Sequence, residues 1–342
     1  MSRTRKEMEI RRIQKTGAST MTVSLPKDWV DQNNLKAGDP VGMHILPDGT
    51  INVDPKTDRK RETARRLIWV DREESSEHLT RKLIGAYLAG YNILEIRSKD
   101  RLDHDIKHTI KEFARLVIGP EVIEETSNSV VLHDLSDPVE LPQEKCVRRM
   151  HLIARSMHSD AMEAFVDGDV DLARDIIERD ADVDRLYWMA VKQYNLILKD
   201  RKLAEKIGID IYEGMNLVLV ARVIERIGDH AEKIAKNAEA AAELGEHIQE
   251  IELMKSFSKE SLGVLEKAIE AYFLKNIKNA NTVIDKGEDL VGRCESLSGR
   301  LRSQHEPAAV VSTSVLDSII RTTMYAIDVA EIAINGAMKL DD

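Results

Sequence analysis

The sequence predicts a mainly α protein: two tandem three-helix bundles, preceded by a small β-rich unit and a small α/β unit. Three observations predict it. From residue 143 to the end, apolar residues recur with almost only helical periodicity. Within that region, long stretches match one another in pairs, at offsets of 107 and 99. Residues 8–54, by contrast, alternate apolar and polar as strands do. Composition agrees. Aromatics are only 4% of 342 residues, while apolar residues reach 42%, enough to build real cores.

The elements follow in order. In residues 8–54, MEIRRIQ alternates, TGAST is a turn and TMTVSL alternates again with β-branched residues. Pro26 opens a short helix, PKDWVDQN, because proline is preset for a first helical turn. AGDPVGMHIL and TINVDP flank the turn PDG at 47–49, a hairpin signal. So short a unit buries little surface alone, and oligomerisation is the expected remedy. The charged segment KTDRKRETARR (56–66) reads as a linker. Residues 67–135 then run strand LIWV, helix SEHLTRKLIGAYLAG, strand NILEIR, helix LDHDIKHTIKEFARLV, and strands EVIEET and SVVLHDL. This is a small α/β unit, closed by the two prolines of LSDPVELP.

Helices are expected at 143–166, 170–199, 210–244, 248–275, 277–303 and 308–340. FVDGDVD, LKDRKLAEKIGID, ELGEH and SQHEP are the breaks. Six long helices with short connections make antiparallel bundles. VDLARDIIERDADVDRL (170–186) matches IKNANTVIDKGEDLVGR (277–293), setting Ala173 on Ala280, Ile177 on Ile284, Glu178 on Asp285 and Asp182 on Asp289. ARVIERIGDHAEKIAKNA (221–238) matches IRTTMYAIDVAEIAINGA (320–337), setting Arg222 on Arg321, Asp229 on Asp328, Ala231 on Ala330 and Glu232 on Glu331. Glu225 falls on Met324. Two three-helix units in tandem, 143–245 and 246–342, describe this most simply.

The formal net charge of -10 gives no general affinity for nucleic acid, but its distribution is uneven. Arg3, Arg5, Lys6, Arg11, Arg12, Lys15 and Lys27 crowd the first segment, opposed there by Glu7 and Glu9. A basic arm on an acidic chain points to an anionic partner at that end. Cys146 and Cys294 are far apart and in no metal-type spacing, as expected of buried, reduced thiols in a cytoplasmic protein. MSRTRKEMEI has no apolar h-region, and NLVLVARVI breaks at Arg222, so neither a signal peptide nor membrane insertion is expected.

Carboxylates at i and i+4 stand one turn apart on a helix face and repel unless something positive bridges them. Glu178/Asp182, Glu225/Asp229 and Asp285/Asp289 have this spacing. Hard cations, iron and manganese select such oxygen donors on facing helices. With 60 acidic residues, many such pairs arise on solvated faces. Arg222, Glu225, Arg226, Asp229, Glu232, Lys233 and Lys236 form one polar stripe, with the apolar face running through Leu217, Val220, Ala221, Ile224, Ile227, Ala231, Ile234 and Ala238. Gly228, inside this helix and between two acids, costs about 1 kcal/mol against alanine. Clearance beside an ion or an approaching helix would explain it.

ERIGDHAEKIAKNA, with the upstream LARDIIERDADVDRL and the second-copy AIDVAEIAINGA, resembles the PhoU family of phosphate-uptake regulators over about residues 143–342. The resemblance implies tandem three-helix bundles whose E(D)xxxD motifs hold multinuclear metal clusters at the bundle surface, with iron or zinc the expected ions. The motif positions carry over to Glu178, Asp182, Glu225, Asp229, Asp285, Asp289 and Asp328. Met324 departs from the pattern where the second copy would supply its glutamate. Residues 8–54 resemble the AbrB/SpoVT swapped-hairpin DNA-binding domains, a fusion found in archaea. KTGAST (15–20), TVSLPKDWV (22–30), LKAGD (35–39) and the turn at Asp48–Gly49 carry this resemblance. It implies a homodimer or higher oligomer that offers Arg11, Arg12, Lys15 and Lys27 to DNA phosphates. Solubilising surface charge is the other reading of these residues.

The expected function is non-enzymatic regulation of phosphate uptake. A metal-bearing bundle would dock the phosphate transporter's ATPase or a signalling protein, and the N-terminal dimer would act at DNA. The alternatives are a plain AbrB-type repressor whose bundle only oligomerises, and a carboxylate-metal enzyme. The enzyme would need histidine ligands beside the acid pairs, but positions 181 and 228 are Ala and Gly. No phosphate-binding or nucleophile-elbow motif is present, and no catalytic residue is assigned. His104/His108 is a possible two-ligand clip without a third ligand, and His151 and His158 read as packing at a helix edge. The role of 67–135 stays open.

Overall fold

The computed structural model describes residues 9–45, 49–55, 63–245, 248–303 and 306–338. Arg3, Arg5 and Lys6, two residues of the PDG turn (Pro47 and Asp48) and most of the linker (56–62) lie outside them. The chain divides into two compact units, residues 1–62 with 340–342, and residues 63–339.

The first unit is two hairpins around a short helix. Strands β1 (Gln14–Thr16) and β2 (Thr20–Thr22) pair antiparallel, as do β3 (Gly42–Ile45) and β4 (Ile51–Asp54). Gly17 turns the first hairpin at φ 70, a left-handed conformation that glycine adopts without strain. Helix α1 (Lys27–Gln32) follows Pro26, which is its N-cap. The strand expected from MEIRRIQ shrinks to residues 14–16, and among the described residues its Ile10 and Ile13 stay exposed. Met21, Val23, Met43, Ile45 and Ile51 are exposed too. Among the described residues of this unit, these apolar side chains lie at the surface and no buried core forms.

The second unit opens with a four-stranded sheet in the order β5-β6-β8-β7: β5 (Arg65–Trp69), β6 (Ile93–Arg97), β7 (Pro120–Glu125) and β8 (Ser129–Asp134). β5 runs parallel to β6, and the other neighbours are antiparallel. Helices α2 (Ser76–Leu88) and α3 (His104–Leu116) bury Leu79, Leu83, Ile106, Ile110 and Phe113 against Ile68, Leu94, Ile96 and Leu132 of the sheet.

The rest is helical: α4 (Gln143–Asp167), α5 (Val170–Lys199), α6 (Arg201–Ile207), α7 (Ile211–Leu244), α8 (Ile251–Leu274), α9 (Ile277–Arg302) and α10 (Pro307–Ala337). α4, α5 and α7 form the first bundle, and α8, α9 and α10 the second; α7 also packs on α10. Local chemistry sets the ends. Asp169, Asp210 and Asn276 accept backbone N–H groups of Leu172, Glu213 and Asn279 as N-caps, and Gly168 and Gly245 close α4 and α7 in the left-handed conformation. The stretch expected only to break the chain after α5 folds into α6, capped by Asp200 and ended by Gly208. All eight residues of the apolar face expected on α7 are at most 2% exposed.

Two polar assemblies join these layers. Lys192 of α5, buried, pairs with Asp134 at the end of β8, donates to Ser136 Oγ at 3.0 Å, and lies 4.4 Å over the Tyr87 ring. Asn195 and Lys199 donate to the carbonyls of Leu88 and Ala89, groups that end α2 without helical partners. Between the bundles, the fully buried His158 of α4 shares hydrogen bonds with Ser258 Oγ of α8 (3.0 Å) and Thr322 Oγ1 of α10 (3.3 Å).

Candidate functional site

α7 carries its polar stripe along the edge of the apolar face, so Glu225 and Asp229 lie at the seam with α5. Facing them across that seam are Asp180 and Asp184 of α5. Burial first, and then Asp184 and Asp229, push the Asp180 carboxyl up to about 7. Asp184 rises to about 6 through burial and Asp229, and Glu225 to about 7 through burial and Asp229. Asp229 is raised as well, by burial and Glu232. Three half-buried carboxylates, Asp180, Asp184 and Glu225, and the more exposed Asp229 beside them therefore oppose each other's ionisation. Arg222 offsets part of this by holding Glu225 Oε1 at 3.0 Å, while Glu225 Oε2 is buried and has no hydrogen-bond partner among the described residues.

Gly228 opens the seam. A Cβ built there would lie 3.2 Å from Asp180 Oδ1, closer than most real contacts. The glycine that weakens α7 leaves room for the carboxylate of α5.

On α5 the acids that face α7 are not the pair expected from the sequence. Glu178 and Asp182 are exposed, and Asp182 lies 3.9 Å from Arg185. Two residues along a helix turn the side chain by about 200°, so Glu178 stands nearly opposite Asp180. The spacing D-x-x-x-D at 180–184, with the core residues Ile176 before it and Val183 within it, is the sequence signal for the acids that face α7. His230 belongs to another environment: its ring bonds Ser318 Oγ at 3.3 Å and packs on Tyr325.

The second bundle lacks this arrangement. At the repeat offsets of 107 and 99, Asp180 becomes Gly287, Asp184 becomes Val291, Glu225 becomes Met324 and Gly228 becomes Ile327. The exchange is reciprocal: Ile327 Cγ1 lies 2.7 Å from where a Cβ on Gly287 would stand. Where the first bundle has an acid over a glycine, the second has a glycine under an isoleucine. Asp285, Asp289 and Asp328 are exposed, and Asp289 is engaged by Arg293 at 2.9 Å. The structure does not gather them into a cluster.

Among the described residues, no three His, Cys, Asp or Glu side chains already stand close enough to hold an ion. The fit of the first-bundle seam to a cation is chemical: four oxygen donors from two helices, raised carboxyl pKa values, one orphaned buried oxygen and a cleared glycine. In the first unit, Arg11, Arg12, Lys15 and Lys27 are all exposed, with Arg11 paired to Glu9. No described helix is long and apolar enough to cross a membrane.

Comparison with known proteins adds the following. The family model of the PhoU domain matches residues 147–238, and that of the bacterial antitoxin MazE matches residues 14–61. The phosphate-specific transport system accessory protein PhoU homolog of Pseudomonas aeruginosa is 31% identical over 91 residues. That match spans 26% of this chain and 35% of the relative, about a third of its length. The crystal structure of PhoU from Pseudomonas aeruginosa superposes with a TM-score of 0.52 at 21% identity, covering 57% of this chain and 95% of that one, a likeness of fold. The phosphate transport system regulatory protein PhoU from Streptococcus pneumoniae gives a TM-score of 0.49 at 18% identity over 58% of this chain and 96% of that one. The chain thus carries a PhoU domain, which contains the four facing carboxylates, and ahead of it a MazE/AbrB-like antitoxin domain.

Proposed function

We infer that this chain is a non-enzymatic regulator of phosphate uptake whose first bundle carries a metal site and whose N-terminal unit pairs two copies and meets DNA. One observation carries the reading. Asp180, Asp184, Glu225 and Asp229 all fall inside the matched PhoU segment, and their charges are left largely uncompensated. A relative that matches 91 residues of this chain is named as an accessory protein of phosphate-specific transport. A bound cation would neutralise these carboxylates and clamp α5 to α7. The donors are all carboxylate oxygens, which suits iron, manganese or magnesium better than zinc, whose structural sites favour sulfur and nitrogen. A phosphate transporter's ATPase or a signalling protein is the partner this reading supplies, with the polar seam as the docking face.

Metal analysis of purified protein tests the first half. The native chain should retain iron or manganese, and Glu225→Gln with Asp229→Asn should lose most of it; equal metal content in both would remove the site. For the N-terminal half, the exposed apolar residues of unit 1 support pairing, and its exposed cations support phosphate contact. Binding to duplex DNA should weaken steeply with salt, and Arg11→Glu with Arg12→Glu should flatten that dependence. Absence of binding by the native chain at low salt would end the DNA role.

A further inference from the structure

The sheet of the second unit has two free edges, and they are built differently. β7 is guarded. It begins with Pro120, carries Glu121, Glu124 and Glu125, and breaks register at a bulge between Val122 and Glu124. Charges, prolines and bulges are the usual means by which a sheet edge avoids pairing. β5 has no bulge, and its exposed apolar side chains Leu67 and Trp69 sit on the edge strand itself, 42% and 55% exposed.

The backbone of β5 is also open. Strand residues alternate the direction of their N–H and C=O groups. Ala64 O accepts from Asn92 and Ile93, and Val70 N donates to Arg97 O, so the even-numbered residues face β6. The groups of Arg65, Leu67 and Trp69 therefore point outward, where β5 has no strand neighbour among the described residues. Beside this edge runs a groove of about 540 Å³, lined by Arg66, Lys82, Gly85, Ala86, Ala89 and Tyr91. On α2 the groove side carries Gly85 and Ala86 beyond Lys82, and a Cβ on Gly85 would meet nothing within 4 Å.

We propose that β5 is a two-fold self-association edge, on which the β5 of a second copy adds antiparallel to make one continuous sheet across the pair. The occupant is identified by the strand's own self-complementarity. A dyad at Leu67, the middle of the five-residue strand, sets Leu67 against Leu67, Arg65 against Trp69 and Arg66 against Ile68 of the other copy. Every outward backbone group is then paired. Each Arg65 meets an indole, a favourable cation–π pairing, and no like charges oppose each other. Neighbouring registers are worse. A dyad at Arg66 sets two arginines face to face. One at Ile68 runs the pairing into the turn at Asp71, whose carbonyl already accepts from Glu74 N at 3.1 Å. The small residues of α2 leave space for the second copy's α2 on the same side of the sheet. Like-with-like pairing about a dyad is also the commonest geometry of homo-oligomers.

The register makes the test sharp. Residues opposed as a hydrogen-bonded antiparallel pair have Cα atoms about 5.5 Å apart, within disulfide range. In the full chain, Leu67→Cys should cross-link to itself on mild copper–phenanthroline oxidation, giving a covalent dimer on a non-reducing gel. Cys146 and Cys294 are fully buried and should stay out of the reaction. Arg66→Cys, whose register partner is Ile68, should cross-link at least ten-fold more slowly. It also controls for chance encounters between copies held together by the N-terminal unit. Equal rates for the two variants, or no cross-link from a Leu67→Cys protein with a native melting temperature, would overturn the proposal. A dimer seen by light scattering that survives either outcome would leave the pairing of the N-terminal units standing by itself.

Discussion

A methyl group added at Gly228 would stand 3.2 Å from Asp180 Oδ1, and one added at Gly287 would stand 2.7 Å from Ile327 Cγ1. Both glycines are buried inside helices, and replacing either with alanine gains about 1 kcal/mol of helix propensity. The neighbours decide the sign. Asp180 meets the methyl with the end of a movable carboxylate that its neighbours already repel, so Gly228→Ala should leave the metal-free melting temperature unchanged or raise it. The same change pushes Asp180 away from the seam, so metal retention should fall. Ile327 is an apolar side chain seated in the space that Gly287 leaves. Overpacking of this kind costs about 1–3 kcal/mol, which exceeds the propensity gain. Gly287→Ala should therefore lower the melting temperature, with no dependence on added metal. Paired thermal melts with and without chelator check both, and two variants shifting in the same direction would refute the reciprocal exchange.

At the scale of the element, α5 presents acids on two opposite sides, and only one side matters for the seam. Asp180→Asn with Asp184→Asn should stabilise the chelated protein, because burial and mutual repulsion raise these carboxyls and make their charged forms unfavourable. The same pair should abolish metal-induced stabilisation. Glu178→Gln with Asp182→Asn, exposed and on the far side, should change neither melt by more than about 0.5 kcal/mol. Equal effects from the two double variants would show that the seam is not the site. The helix itself was legible from its periodicity, and Glu225 and Asp229 were legible from spacing on α7. Asp180 and Asp184 were missed for a physical reason. Comparing the two repeats favours positions that stay acidic in both, such as Glu178 with Asp285 and Asp182 with Asp289. Those persist because solvated faces accept charge in either bundle. Asp180 and Asp184 exist in one copy only, so the comparison passes over them as Gly287 and Val291. The helix α6 escaped for a different reason: seven residues are too few to show a period, and its caps at Asp200 and Gly208 read equally well as a turn.

Across the whole molecule, the two bundles meet through a polar layer that includes a histidine held neutral. His158 has no exposed surface, and burial first, then the nearby His230, lowers its pKa from 6.5 to about 4. Its ring bonds Ser258 of α8 and Thr322 of α10, so it ties α4 of the first bundle to two helices of the second. In the unfolded chain this histidine takes up a proton near pH 6.5, while the folded protein resists it until about pH 4. The contribution of the neutral ring to stability is thus complete above pH 6.5 and is lost progressively as the pH falls toward 4. Its slope is about 1.4 kcal/mol per pH unit within that window. The seam carboxylates act in the opposite sense: Asp180 and Glu225, raised to about 7, shed repulsion as they protonate over the same range. A bare pH–stability curve would mix the two. His158→Gln separates them, because glutamine can still bond Ser258 or Thr322 but does not titrate. Denaturant melts of the native chain and the variant between pH 7 and pH 4.5, both in chelator, should differ by a gap that changes with pH, the native chain losing stability faster on acidification. A gap that stays constant across the range would mean that the ring contributes packing alone, and that acid does not loosen the junction between the bundles through this residue.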